Sequence, residues 1–147
     1  MSSMSASRVP LVIDASVALK WLVEESGSEA ALALQGRDLA APALLRIEAA
    51  NVLRTMVARG VAARGQVLDL LRLLQSAPVM IVDSDDALEG RALELAIELG
   101  HPVYDCVYLA LAERLGRILV TADGRFLKAL SSTPNVSRAI ALEAAIN

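Results

Sequence analysis

The sequence predicts an α/β fold: a parallel sheet of short strands covered on both faces by helices. Three observations predict it. Short apolar runs at residues 10–13 (PLVI), 78–82 (PVMIV) and 117–121 (RILVT) read as buried strands. These runs alternate with longer helix-periodic segments, the pattern that builds a parallel sheet through crossover connections. Alanine (26) and leucine (25) supply about a third of the 147 residues, which favours helices between the strands.

The elements follow in order. Residues 1–8 read as a polar tail ahead of a single domain over 9–147, and Met4 is an alternative start. The first strand, 10–13, ends at Asp14 and leads into a helix over 15–24. A short helix over 28–35 is closed by Gly36. A strand over 38–41 precedes Pro42, which is expected to open a helix running to Arg59 and stopping at Gly60. On that helix Leu45, Ala49, Val52, Leu53 and Met56 share an apolar face. Glu48, Asn51 and Thr55 form a separate stripe beside it. Another helix, 63–76, carries Val67, Leu70, Leu71 and Leu74 on its apolar face. The strand 78–82 follows, and Asp83, Asp85 and Asp86 read as turn and cap residues before a helix over 87–99. Pro102 restarts a helix through Leu115, with Tyr104, Val107, Tyr108, Leu111 and Leu115 in one register. The strand 117–121, a short helix 123–130 and a last strand 136–140 complete the chain.

Composition narrows the class. Hydrophobic residues make up 55% and mean hydropathy is +0.50, which excludes a disordered chain. No run approaches the roughly 20 apolar residues of a membrane span, and the first residues carry no apolar signal core. Cys106 and His101 are the chain's one cysteine and one histidine, so a disulfide framework and Cys- or His-rich metal sites are excluded. A cytoplasmic protein without a membrane partner is expected. Net charge is −3, which taken over the whole chain argues against nucleic acid. Charge placement can reverse that.

Ligands of doubly covered parallel sheets bind at the carboxyl ends of the strands. Asp14 follows the first strand and Asp123 follows the strand 117–121. Glu48 lies in the helix after the strand 38–41, and Asp105 lies in the first turn opened by Pro102. Each has a structural role that would suffice alone. Asp14 and Asp123 fit as helix N-caps, and Asp105 fits a helix dipole. Glu48 is harder to explain so, because it borders an apolar face and needs a partner. Arg46 and Arg54 point about opposite to it, whereas a bound cation would neutralise it. Four carboxylates brought together would repel one another and raise each other's pKa. A hard divalent cation, Mg²⁺ or Mn²⁺, relieves that in an all-oxygen site. Such ions activate water and stabilise an in-line phosphoryl displacement. With four negatives assigned to the site, the rest of the chain carries +1. Lys20, Arg46, Arg54, Arg59, Arg64, Arg114, Arg117, Arg125 and Lys128 are then candidates to ring it.

At these residues the chain resembles the PIN domains, and among them the VapC-type ribonuclease toxins of bacterial toxin–antitoxin pairs. The matching segments are VIDASVALKWLVEE (12–25), APALLRIEAANVL (41–53), HPVYDCVYLALAERLG (101–116) and LVTADGRFLKAL (119–130). The resemblance implies a three-layer α/β/α sandwich around a five-stranded parallel sheet of order 3-2-1-4-5. It implies that Asp14, Glu48, Asp105 and Asp123 form an acidic Mg²⁺ site, with Mn²⁺ as a substitute. Ser16 and Thr121 match supporting hydroxyl positions, and Asn51 matches a polar neighbour of the helix glutamate. The activity implied is metal-dependent endoribonuclease cleavage of RNA. The partners implied are a second copy of the chain, a cognate VapB-type antitoxin that blocks the site, and operator DNA reached only through the antitoxin. Residues 60–90 match loosely.

Other α/β readings fit less well. A phosphoacceptor receiver needs an acidic pair after the first strand and a late lysine. A haloacid-dehalogenase-type phosphatase needs Asp-x-Asp, and residue 16 is Ser. Neither G-x-G-x-x-G nor a P-loop motif is present. A catalytically dead PIN scaffold would have lost one of the four acids, and a flap-type nuclease would carry further DNA-gripping elements.

Overall fold

The computed structural model describes residues 9–146. Its sheet has five strands, β1 (Leu11–Ile13), β2 (Leu39–Pro42), β3 (Met80–Val82), β4 (Ile118–Thr121) and β5 (Ala139–Ala141), in the order β3-β2-β1-β4-β5. All four pairings are parallel. The helices are α1 (Ala15–Leu22), α2 (Ser28–Ala33), α3 (Leu44–Ala58), α4 (Arg64–Gln75), α5 (Asp86–Leu99), α6 (Val103–Leu115), α7 (Gly124–Leu130) and α8 (Leu142–Ala145). Single 3₁₀ turns occupy Leu34–Gly36 and Pro134–Arg138.

The chain steps one way across the sheet from β1 to β3, then returns through β4 to β5. Right-handed crossovers therefore put α1–α4 on one face and α5–α7 on the other. The direction reverses between β1 and β4, whose register pairs Leu11 with Ile118 and Ile13 with Val120. That is the switch point at which such sheets open a crevice beyond their carboxyl ends. The core follows from the same order. Central β1 is wholly buried, and α6 contributes Cys106 and Tyr108 through Ala112 where it crosses β1, β2 and β4. Gly100 and Gly116 end α5 and α6 in left-handed conformations (φ 61° and 66°), as expected of glycines just past a helix.

Several local expectations are corrected. Pro42 does not open a helix but closes β2, pairing with Val82, and α3 starts at Leu44. Gly36 lies inside a 3₁₀ turn. The last strand is Ala139–Ala141, because residues 134–138 form the other 3₁₀ turn. The strand 78–82 shortens to Met80–Val82 and is an edge strand with Met80 exposed, so its apolar run does not mean full burial. Val52 is exposed although it shares the apolar face of α3, because it faces a cleft rather than the core. The predicted tail, residues 1–8, lies outside the described residues. No helix among the described residues is long and apolar enough to cross a membrane.

A carboxylate-lined cleft as candidate active site

An open cleft of about 540 Å³ lies beyond the carboxyl ends of the strands. Asp14, Glu48, Asp105 and Asp123 all line it, with Ser16 and Asn51. Leu19, Leu44, Ile47, Val52 and Tyr104 supply apolar walls.

Asp14 is the residue next after β1 and caps α1, where its carboxylate accepts the Val17 N–H at 3.3 Å. It also accepts the hydroxyls of Ser16 (2.5 Å) and Thr121. Ser16 Oγ in turn accepts the Ala122 N–H at 2.9 Å, and Thr121 Oγ1 accepts the Asp123 N–H at 3.0 Å. Two hydroxyls thus tie the ends of β1 and β4 around one carboxylate. Burial raises the Asp14 pKa from 3.8 to about 6, with the charge of Asp105 adding to the rise and the hydrogen bonds opposing it.

Glu48, on α3, accepts a hydrogen bond from the Tyr108 hydroxyl on α6. Its pKa is also raised, by burial first and by repulsion from Asp105, against that hydrogen bond. Tyr108 is therefore the partner that Glu48 required. Asp105, in the first turn of α6, has Oδ2 at 2.6 Å from His101 Nε2. The His101 ring lies against Phe126 of α7, with centroids 5.0 Å apart. Asp123 caps α7, accepting the N–H groups of Arg125 (3.0 Å) and Phe126 (3.3 Å) on Oδ1.

Capping and lining are compatible, since Asp14 and Asp123 do both. Asn51 lies on the cleft wall beyond Glu48, exposed. Sequence reasoning missed Tyr108 and His101. Tyr108 was hidden in an apolar helical register. His101 stands four residues before Asp105, a spacing that could have suggested contact within one turn.

The expected basic ring is corrected in part. Arg114 is taken by Asp85, and Lys20 by Glu25 and the Ser26 carbonyl. Arg117 binds Asp38 and the Leu11 carbonyl at the amino ends of the strands, away from the cleft. Asp85 caps α5 through Leu88 N–H, as a cap residue should, and Asp83 and Asp86 are exposed. Burial raises the Cys106 thiol to about 11, which leaves it inert.

Among the described residues no lysine or arginine pairs with any of the four cleft acids. A set of carboxylate oxygens with no lysine or arginine counter-ion fits a hard divalent cation. As they stand, no three acidic, histidine or cysteine side chains among the described residues converge closely enough to hold one. Three of the four acids are each turned toward a side-chain donor of their own.

Comparison with known proteins identifies the family. The PIN domain family matches residues 11–130. A relative from Pyrobaculum aerophilum named Ribonuclease VapC3 is 34% identical over 116 residues, covering 77% of this chain and 88% of that protein. Among solved structures, one from Pyrobaculum aerophilum superposes with a TM-score of 0.72 at 23% identity, covering 94% of this chain and 87% of that one. A chain of a toxin–antitoxin complex from Klebsiella pneumoniae gives 0.66 at 15% identity, covering 90% and 97%. Those two likenesses show the shared fold.

Proposed function

The chain belongs to the PIN-domain family, and we propose that within it the protein is a VapC-type toxin, a metal-dependent endoribonuclease held in check by a cognate antitoxin. One observation carries the reading: four carboxylates line one cleft at the switch point of the sheet with no lysine or arginine paired to them. The VapC ribonuclease name of its relative supplies the reaction class.

In this reading Asp14, Glu48, Asp105 and Asp123 hold Mg²⁺, with Mn²⁺ as a substitute. When bound, such an ion lowers the pKa of water and stabilises charge that develops on a phosphate. The chain's own residues do the rest. Ser16 and Thr121 hold Asp14 in one rotamer, and Asn51 offers an amide at the cleft wall beside Glu48. The substrate is RNA. The antitoxin is VapB-type and covers the cleft, in keeping with the toxin–antitoxin complex whose fold the chain shares. Operator DNA is contacted only through that antitoxin. The protein acts as a homodimer in the cytoplasm, and Leu93 and Ile97, one turn apart and exposed on α5, offer an apolar face to a second copy. Light scattering that reads only a 15.5 kDa species would remove the dimer.

The test is RNA cleavage by purified, antitoxin-free protein, with EDTA and then with Mg²⁺ restored. Chelation should abolish cleavage and Mg²⁺ should return it. Cleavage undiminished in EDTA would overturn the metal-dependent mechanism.

A further inference from the structure

Tyr108 is buried to 1% exposure among core residues of α6, where phenylalanine would fill the same space. Its hydroxyl is the exception to that apolar setting. A buried hydroxyl is costly unless it is paired, and this one is paired across sixty residues of chain to Glu48 on α3. A phenol keeps its proton well above neutral pH, so the group is a donor. A neutral donor can orient a carboxylate without cancelling its charge, which an arginine would do. Glu48 needs that orientation more than Asp14 does. Its side chain is longer and stands at the wall of an open cleft, whereas two hydroxyls and a backbone N–H hold Asp14.

We propose that Tyr108 is a positioning residue: through its hydroxyl it fixes Glu48 in the orientation with which that carboxylate serves the cleft. The inference rests on the reading of the cleft as a metal-dependent nuclease site. Groups one step removed from metal ligands typically alter affinity or activity by about 10–100-fold when lost.

Tyr108→Phe keeps the ring and deletes the oxygen. In EDTA it should melt close to wild type. With Mg²⁺ its kcat on RNA should fall about 10–100-fold while KM changes little. The Mg²⁺ concentration needed for a given rise in melting temperature should increase by about tenfold. In a Glu48→Gln background, Tyr108→Phe should add no further loss, because the two act as one unit. An unchanged kcat and an unchanged Mg²⁺ dependence of the melt in Tyr108→Phe would reduce the residue to core filling. A variant more active than wild type would mean that the hydroxyl holds Glu48 away from its task, and would overturn the proposal equally. A large fall in the EDTA melt, repeated in the Glu48→Gln background, would also assign the hydroxyl to the core alone. If wild type itself cleaves no RNA, the nuclease reading fails, and the Mg²⁺ dependence of the melts still decides the role of Tyr108.

Discussion

On the flank between α5 and α6, Glu113 receives Arg91 Nε at 2.8 Å and Nη2 at 3.1 Å, and Asp85 receives both terminal nitrogens of Arg114 at 2.8 Å. The arginine bonds hold both acids below their ordinary pKa. At the carboxyl edge of the sheet, Asp14 and Glu48 meet only hydroxyls and one backbone N–H, and both are raised. The flank acids are finished within the chain. Asp14 and Glu48 are oriented by neutral donors, and in the proposed reading a cation from outside takes up their charge. On the proposed reading, the charge of the donors separates structural acids from functional ones.

The largest expected effect separates the two classes by catalysis. Asp14→Asn and Asp105→Asn keep side-chain shape and remove charge, and each should cut RNA cleavage by orders of magnitude. Asp85→Asn keeps the α5 cap and should leave the rate at wild-type level. Initial rates on one RNA decide it. If Asp85→Asn is as damaging as Asp105→Asn, the division between flank and cleft is wrong.

Stability against pH gives a smaller effect of opposite sign in the two regions. A carboxylate whose pKa is raised on folding contributes stability that is full below its unfolded value and lost as pH rises through the folded one. For Asp14 the window runs from 3.8 to about 6, equivalent to an upper bound of about 3 kcal/mol. Glu48 acts in the same direction. The lowered flank acids contribute stability above the usual carboxylate range and lose it as pH falls further. Metal-free protein should therefore melt higher near pH 5 than near pH 7, then lower again below about pH 4. Asp14→Asn should flatten the first change and leave the second. A wild-type melting temperature that falls steadily from pH 7 to pH 5 in EDTA would contradict the assignment.

What was legible in the sequence follows from how local each signal is. An acid directly after a buried strand declares its place in the fold, so Asp14 and Asp123 could be set at the strand ends from VIDAS and TAD alone. Glu48 could be singled out because its helix leaves it beside apolar neighbours. The hydroxyl of Tyr108 could not, because a tyrosine at an apolar register position looks like core until the opposite helix is known. The strand ends were illegible for a related reason. Pairing, not hydrophobicity, ends them: Pro42 stays in β2 because it faces Val82, and β5 starts at Ala139 because that residue meets Leu119. Val136, apolar but exposed, drew the predicted strand too early.

The claim that the cleft is built for an external cation is tested most directly by melting the wild-type protein against increasing Mg²⁺ near neutral pH, beside Asp14→Asn. A ligand that binds only the native state stabilises it by about 2.7 kcal/mol at a hundredfold excess over Kd, or roughly 5–10 °C for a domain of this size. The wild type should rise by that amount at a hundredfold excess and keep rising with the logarithm of the Mg²⁺ concentration, and Asp14→Asn, more stable at the outset, should rise little. A wild-type melting temperature indifferent to Mg²⁺, or an equal rise in both proteins, would contradict the account.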